Sequence, residues 1–144
     1  MFKRFRIVAL TFALGVFLSF AATAMAEQLT SGNTDLGTVN GYSYIANGYI
    51  DNGYGARGYS VITRTGGTVP TGYMGISSYV YNSSGICVVY SPWSYNTSSM
   101  QSIGSFTSWY TVSGSYYNSK GSCKMYNGSG YTEKPSNYTP YLYY

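Results

Sequence analysis

The sequence predicts an all-β protein, a single antiparallel β-sandwich, and three observations carry that expectation. Short runs with alternating side chains recur between clusters of Gly, Asn and Pro, at the roughly 8–12-residue spacing of sandwiches and small barrels. From Glu27 onward the longest stretch free of Gly and Pro is Trp93 to Ile103, and it has no apolar stripe. A globular helix needs about 11–12 residues and one apolar face, so helix is not expected. The aromatic content is 19 Tyr, 2 Trp and 6 Phe in 144 residues, and Tyr and Trp favour strands.

The elements follow in chain order. Lys3, Arg4 and Arg6 precede a 14-residue apolar run, Ile7 to Phe20, and Ala24 and Ala26 are small at the two positions that a signal peptidase reads. A spanning helix needs about 20 apolar residues, so residues 1–26 read as a signal peptide cleaved before Glu27. An exported, extracellular chain with no transmembrane span after cleavage is expected. Residues 27–38 read as a loose N-terminal leader and 39–144 as the sandwich domain. Within it, Tyr42 to Ala46 reads as a strand that ends in an Asn47-Gly48 turn. Arg57 to Arg64 reads as a strand with Tyr59, Val61 and Thr63 on one face, followed by a turn at Thr65-Gly66-Gly67. Tyr73 to Tyr81 places Met74, Ile76, Ser78 and Val80 opposite a row of tyrosines, and Asn82 to Gly85 turns the chain. Ile86 to Tyr90 is the most apolar run and the expected centre of the core. Ile103 to Val112, a Ser113-Gly114 turn and Ser115 to Tyr126 follow. Pro135 and Pro140 confine any strand in Tyr131 to Tyr144 to a sheet edge.

Two cysteines in an exported chain predict one disulfide, Cys87–Cys123, which would stabilise by roughly 3–4 kcal/mol for a loop of that length. The architecture is Ig-like without the immunoglobulin hallmarks. Trp93 follows Cys87 too closely, and Gly121 stands where the tyrosine corner would be.

Several function classes fall away on composition. There is no His, which removes the commonest general base and metal ligand, and with them a Ser/His/Asp triad. The four carboxylates are Glu27, Asp35, Asp51 and Glu133, two of them in the expected leader. No catalytic residue, metal site or cofactor is assigned, and the chain reads as a non-enzyme. Gly53 to Gly58 matches GxGxxG, but a strand follows it where a nucleotide fingerprint needs a helix. After cleavage five Lys and Arg face four acids, a net charge of +1, too little for a nucleic-acid partner.

The remaining lead is aromatic. From Glu27 onward Leu, Ile and Val total 16 residues, so tyrosine must supply core area, yet 19 tyrosines exceed what so small a core hides. Aromatic side chains carry contact energy at interfaces. The candidate binding surface comprises Tyr42, Tyr44, Tyr49, Tyr54, Tyr59, Tyr73, Tyr79, Tyr81, Trp93 and Trp109. Its expected partner is a cell-wall polymer, a glycan or an extracellular protein. A self-associating extracellular structural protein is the alternative that Tyr-, Ser- and Asn-rich edge strands raise.

Four pieces carry a likeness to other chains: Gly72-Tyr73-Met74-Gly75, Tyr81 to Gly85, Gly114 to Tyr117 with Gly121, and Tyr126 to Tyr131. In these, the sequence resembles small exported Gly/Tyr/Ser-rich proteins of Gram-positive bacteria, over roughly residues 56 to 140. The resemblance implies export and an all-β fold and no activity. A weaker likeness, in the short Gly/Ser/Tyr-rich chain and the tail Tyr141 to Tyr144, is to the Sec-exported lactococcin bacteriocins. It implies an antimicrobial alternative, although those bacteriocins contain His and are shorter.

Overall fold

The computed structural model describes residues 26–144. The apolar run and Ala24 of the expected signal peptide lie outside the described residues. Ten strands and no helix form among the residues described: β1 (Gln28–Val39), β2 (Tyr42–Asp51), β3 (Arg57–Arg64), β4 (Met74–Asn82), β5 (Cys87–Tyr90), β6 (Ser94–Tyr95), β7 (Ser102–Phe106), β8 (Tyr116–Tyr126), β9 (Tyr131–Pro135) and β10 (Leu142–Tyr143). They make two antiparallel sheets. One has the order β1-β2-β3-β7 and the other β10-β8-β4-β5, with β6 beside β4 and β9 beside β8.

Period-2 alternation decides the faces. On β4, Met74, Ile76, Ser78 and Val80 are buried, as their spacing predicts, and Tyr79 and Tyr81 point outward. The inner faces of the two sheets meet in two apolar clusters. One joins Leu36, Tyr44, Ala46 and Ile62 to Met74, Ile76, Cys123 and Met125. The other gathers Ile50, Ala56, Val80, Tyr117 and Leu142.

Between the clusters runs a seam of small residues. Gly48 pairs with Ser60 and Ser60 with Ser105 across one sheet, while Ser78 pairs with Gly121 across the other. The two rows face each other: a Cβ added to Gly121 would lie 2.7 Å from the Ser60 Cβ. The Ser78 hydroxyl donates to the Ser105 carbonyl at 2.7 Å, and the Ser91 and Ser105 hydroxyls are bonded to each other. The Ser78, Ser91 and Ser105 hydroxyls thus find partners between closely approaching backbones, whereas the buried Ser60 hydroxyl has none.

Four expectations are corrected. Residues 27–38 are not a loose leader, because nearly all of them belong to β1, paired with β2 through two register shifts, with Leu36 in the core. Asn47-Gly48 is not a turn. The chain turns instead at Asn40-Gly41, where φ is 50° and 79°, the pair of positive angles that a two-residue hairpin requires. Once β1 and β3 flank β2, Asn47 and Gly48 are held extended by ladder pairing on both sides. Ile86 to Tyr90 is not the core centre. β5 is paired on one side only, and Ile86 and Tyr90 are 62% and 66% exposed.

The fourth correction is that Cys87 and Cys123 form no disulfide. Cys87 sits opposite Tyr81 on one side of β4, and Cys123 opposite Ile76 on the other. Those positions are five residues apart along β4, about 16 Å at strand rise, whereas a disulfide needs Cα atoms within about 7 Å. Cys87 is exposed and Cys123 buried. Native protein is therefore expected to give one thiol to Ellman's reagent and a second only after unfolding, and Cys87→Ser to change stability by no more than about 0.5 kcal/mol. Zero reactive thiols before and after denaturation would overturn this.

Candidate functional site

The outward face of the six-stranded sheet carries two connected rows of rings. Alternation on β4 sends Tyr79 and Tyr81 outward, and register sets Tyr90 of β5 opposite Tyr79. Ring centroids are 6.1 Å apart for Tyr90–Tyr79, 6.4 Å for Tyr79–Tyr81 and 5.5 Å for Tyr81–Tyr138. The second row runs Trp93–Tyr95–Tyr131–Tyr126 and continues off that face to Tyr73 and to Tyr42 of β2, both half-buried against the first core cluster, with neighbouring centroids between 4.7 and 6.3 Å. Gly75 makes room for it: a Cβ there would be 2.7 Å from the Tyr95 ring. The Tyr131 hydroxyl donates to Gly72 O and the Tyr126 hydroxyl to Gly128 O, both at 2.8 Å, so these rings are anchored at their polar tips.

Each row holds a lysine. On β8, Gly121, Cys123 and Met125 face the core, which turns Lys120, Ser122 and Lys124 outward. The Lys120 Nζ lies 4.6 Å from the Tyr138 ring centroid and 5.2 Å from that of Tyr81. The Lys124 Nζ lies 4.0 Å from the Trp93 ring and donates to the Tyr95 hydroxyl at 3.5 Å. Such contacts stabilise by about 0.5–1 kcal/mol each at partly exposed sites. Burial works to lower the Lys120 pKa, but the Tyr138 and Tyr81 side chains outweigh it and the pKa ends raised. The Tyr81 phenol is also raised, by burial first, with Lys120 opposing.

The outward face of the four-stranded sheet has a third set. Tyr49, Tyr59 and Phe106 stand in register on β2, β3 and β7, their centroids 5.6 and 4.2 Å apart and their planes close to parallel. Burial, with Tyr49 adding, raises the Tyr59 phenol. Arg57 packs over Trp109 at 4.1 Å and Phe106 at 5.4 Å, and Tyr54 meets Trp109 edge-on at 5.7 Å. Directly opposite in register, Asp51 accepts from Arg57 at 3.0 and 3.2 Å, so this set is electrically neutral. It is the one ion pair among the described residues, and Lys120 and Lys124 have no carboxylate partner.

The candidate aromatic residues thus divide. Tyr49, Tyr54, Tyr59 and Trp109 belong to the four-stranded face. Tyr79, Tyr81 and Trp93 belong to the six-stranded face, while Tyr42 of β2 and Tyr73, just before β4, are half-buried against the first core cluster at the end of the second row. Tyr44 is corrected: it is fully buried in the first core cluster and displays nothing. Sequence reasoning missed Tyr90, Tyr95, Tyr126, Tyr131, Tyr138 and Phe106 as members, and Lys120, Lys124 and Arg57 as their cations. A signal existed for the lysines, since Lys120, Ser122 and Lys124 share parity opposite Cys123 and Met125 in a strand that was expected. None existed for Tyr131 and Tyr138, which reach the rows through the C-terminal segment along the β8 edge.

Three of the four carboxylates are already committed. Asp51 binds Arg57, Asp35 accepts from Gly37 N–H at 2.7 Å, and Glu133 accepts from the Ser122 hydroxyl at 2.6 Å. No three His, Cys, Asp or Glu side chains gather as a metal-ligand set among the described residues. Compared with family models, curated proteins and solved structures, the chain matches none.

Proposed function

We propose that this chain is a small exported β-sandwich, non-enzymatic, that binds a cell-envelope or other extracellular target through its displayed aromatic rings. One observation carries the reading: of 19 tyrosines only Tyr44 and Tyr117 are buried, and the outward rings form connected rows rather than scattered singles. Isolated surface aromatics need no explanation, but contiguous exposed apolar surface marks interaction sites. Export rests on the first 26 residues of the sequence.

Co-sedimentation of residues 27–144, which contain every described strand, with purified Gram-positive cell walls tests the reading. Saturable pelleting with walls alone is expected, and the Trp93→Ala/Tyr90→Ala double variant is expected to weaken it by about tenfold or more. Failure to pellet would remove the envelope as target. Pelleting without walls would favour self-association, for which the unpaired edge of β5 and the exposed Ile86 just before it offer a route.

A further inference from the structure

Resting on that aromatic-binding reading, we propose that the outward face of the six-stranded sheet is the docking surface for an acidic polysaccharide. The glycan would be one whose sugar rings carry their own carboxylates.

Two features separate this face from the neutral one opposite. Lys120 and Lys124 are the outward cations of β8, and neither has a carboxylate partner, whereas Arg57 on the other face is neutralised by Asp51. Glu133 stands directly opposite Lys124 in register, but its carboxylate accepts from the Ser122 hydroxyl at 2.6 Å and pairs with neither ammonium, so these three side chains leave the face a net charge of +1. The lysines stand four residues apart on one strand, about 13 Å at strand rise, which suits a chain presenting repeated charges. Both ammonium groups are positioned by rings rather than by counter-charges, and an ammonium has three donors to offer.

The rings decide between kinds of anion. The Lys124 Nζ lies over the Trp93 ring, 4.0 Å from its centroid, with Tyr95 next to it, so a ligand group bonded to the ammonium lies alongside aromatic surface. A uronic-acid residue, with a carboxylate on a ring whose C–H groups are apolar, satisfies both at once. A phosphodiester linker keeps its charge away from the sugar face. Two lysines are also too few for a polyphosphate backbone, where affinity comes from many neutralised charges.

Polygalacturonate is the probe, titrated calorimetrically into residues 27–144, with its methyl ester and polyglutamate as the uncharged-glycan and sugar-free polyanion arms. The expected result is binding about tenfold or more tighter than to either comparison polymer, weakening as salt rises. The Lys120→Gln/Lys124→Gln variant, which keeps most of each side chain, should bind about tenfold or more weaker, and Ser102→Ala, at an exposed β7 position outside the aromatic sets, should bind as wild type. Equal affinity for the ester or for polyglutamate, or an unchanged double-lysine variant, would overturn the proposal. If cell walls are pelleted but polygalacturonate is not bound, the acidic glycan falls and the aromatic-binding reading stands; if neither is bound, the acidic glycan and the envelope target both fall.

Discussion

Gly121→Ala is expected to destabilise the fold by about 2–3 kcal/mol, and Gly121→Val to prevent folding. Glycine to alanine inside a strand ordinarily gains about 0.4–1 kcal/mol by restricting the unfolded chain, so the sign here is set by contact alone. The new Cβ would sit 2.7 Å from the Ser60 Cβ, 2.9 Å from its Oγ and 3.2 Å from the Ile76 Cδ1. A Cβ cannot rotate away from its backbone, so relief requires the two sheets to separate at this point. Gly58→Ala is expected to be milder. Its nearest neighbour is the Ser119 Oγ at 2.6 Å, a hydroxyl that can rotate, with the Val80 Cγ2 at 3.0 Å. Gly130, which has open space around it, supplies the control and should change little. Urea unfolding measures all three. The compensating pair Ser60→Gly/Gly121→Ala should recover more than half of the loss. Equal midpoints for Gly121→Ala and Gly130→Ala would show that the sheets do not meet there.

Tyr44→Ala is expected to cost about 3–5 kcal/mol, the range for emptying a buried aromatic site, while Tyr44→Phe is expected to be neutral or stabilising by about 1 kcal/mol. The asymmetry arises because the ring is fully buried but its hydroxyl has no hydrogen-bond partner. The same burial makes the fold alkali-sensitive. The Tyr44 phenol is pushed up to about 12 from 10.0, by burial first, with Tyr42 and Tyr73 adding and Arg64 opposing. The Cys123 thiol is pushed up to about 12 from 9.0, by burial first and then by Glu133. Both are acids whose neutral form the fold prefers. The unfolded chain therefore releases these protons at lower pH than the folded chain. Their contribution is intact below pH 9 and is lost as pH rises from 9 towards 12. Circular dichroism against pH should show unfolding in that window, and Tyr44→Phe should move its midpoint upward. An unchanged midpoint would mean that Tyr44 does not hold its proton in the core.

Much of the fold was legible in the chain because alternation is local. Whether residues i and i+2 share a face depends only on their being extended. Hence Arg57–Arg64 was bounded correctly and the inward set Met74, Ile76, Ser78 and Val80 was read directly. Part of the candidate site was legible for the same reason, since Tyr79 and Tyr81 share parity opposite that set. Other rings were legible only as aromatic residues, without their neighbours: Tyr90 meets Tyr79 through β4–β5 register, and Tyr138 meets Tyr81 from the far end of the chain.

The sequence by itself determined an all-β chain without helix among the described residues, strands of period 2, and a surplus of tyrosine over core volume. The tertiary structure alone decided what each face meets. Tyr42 and Tyr44 have the same spacing as outward tyrosines elsewhere, but β2 lies between β1 and β3 and turns Tyr44 onto the other sheet. Cys87-Val88-Val89 is as apolar as a central strand, but strand order leaves it at an edge and sets β4 between the two cysteines. Asn47-Gly48 has the same turn chemistry as Asn40-Gly41, but pairing on both sides overrides it. In each case the deciding contact joins residues far apart in sequence, and local propensity, worth about 1 kcal/mol in a strand, yields to the burial and ladder pairing those contacts bring.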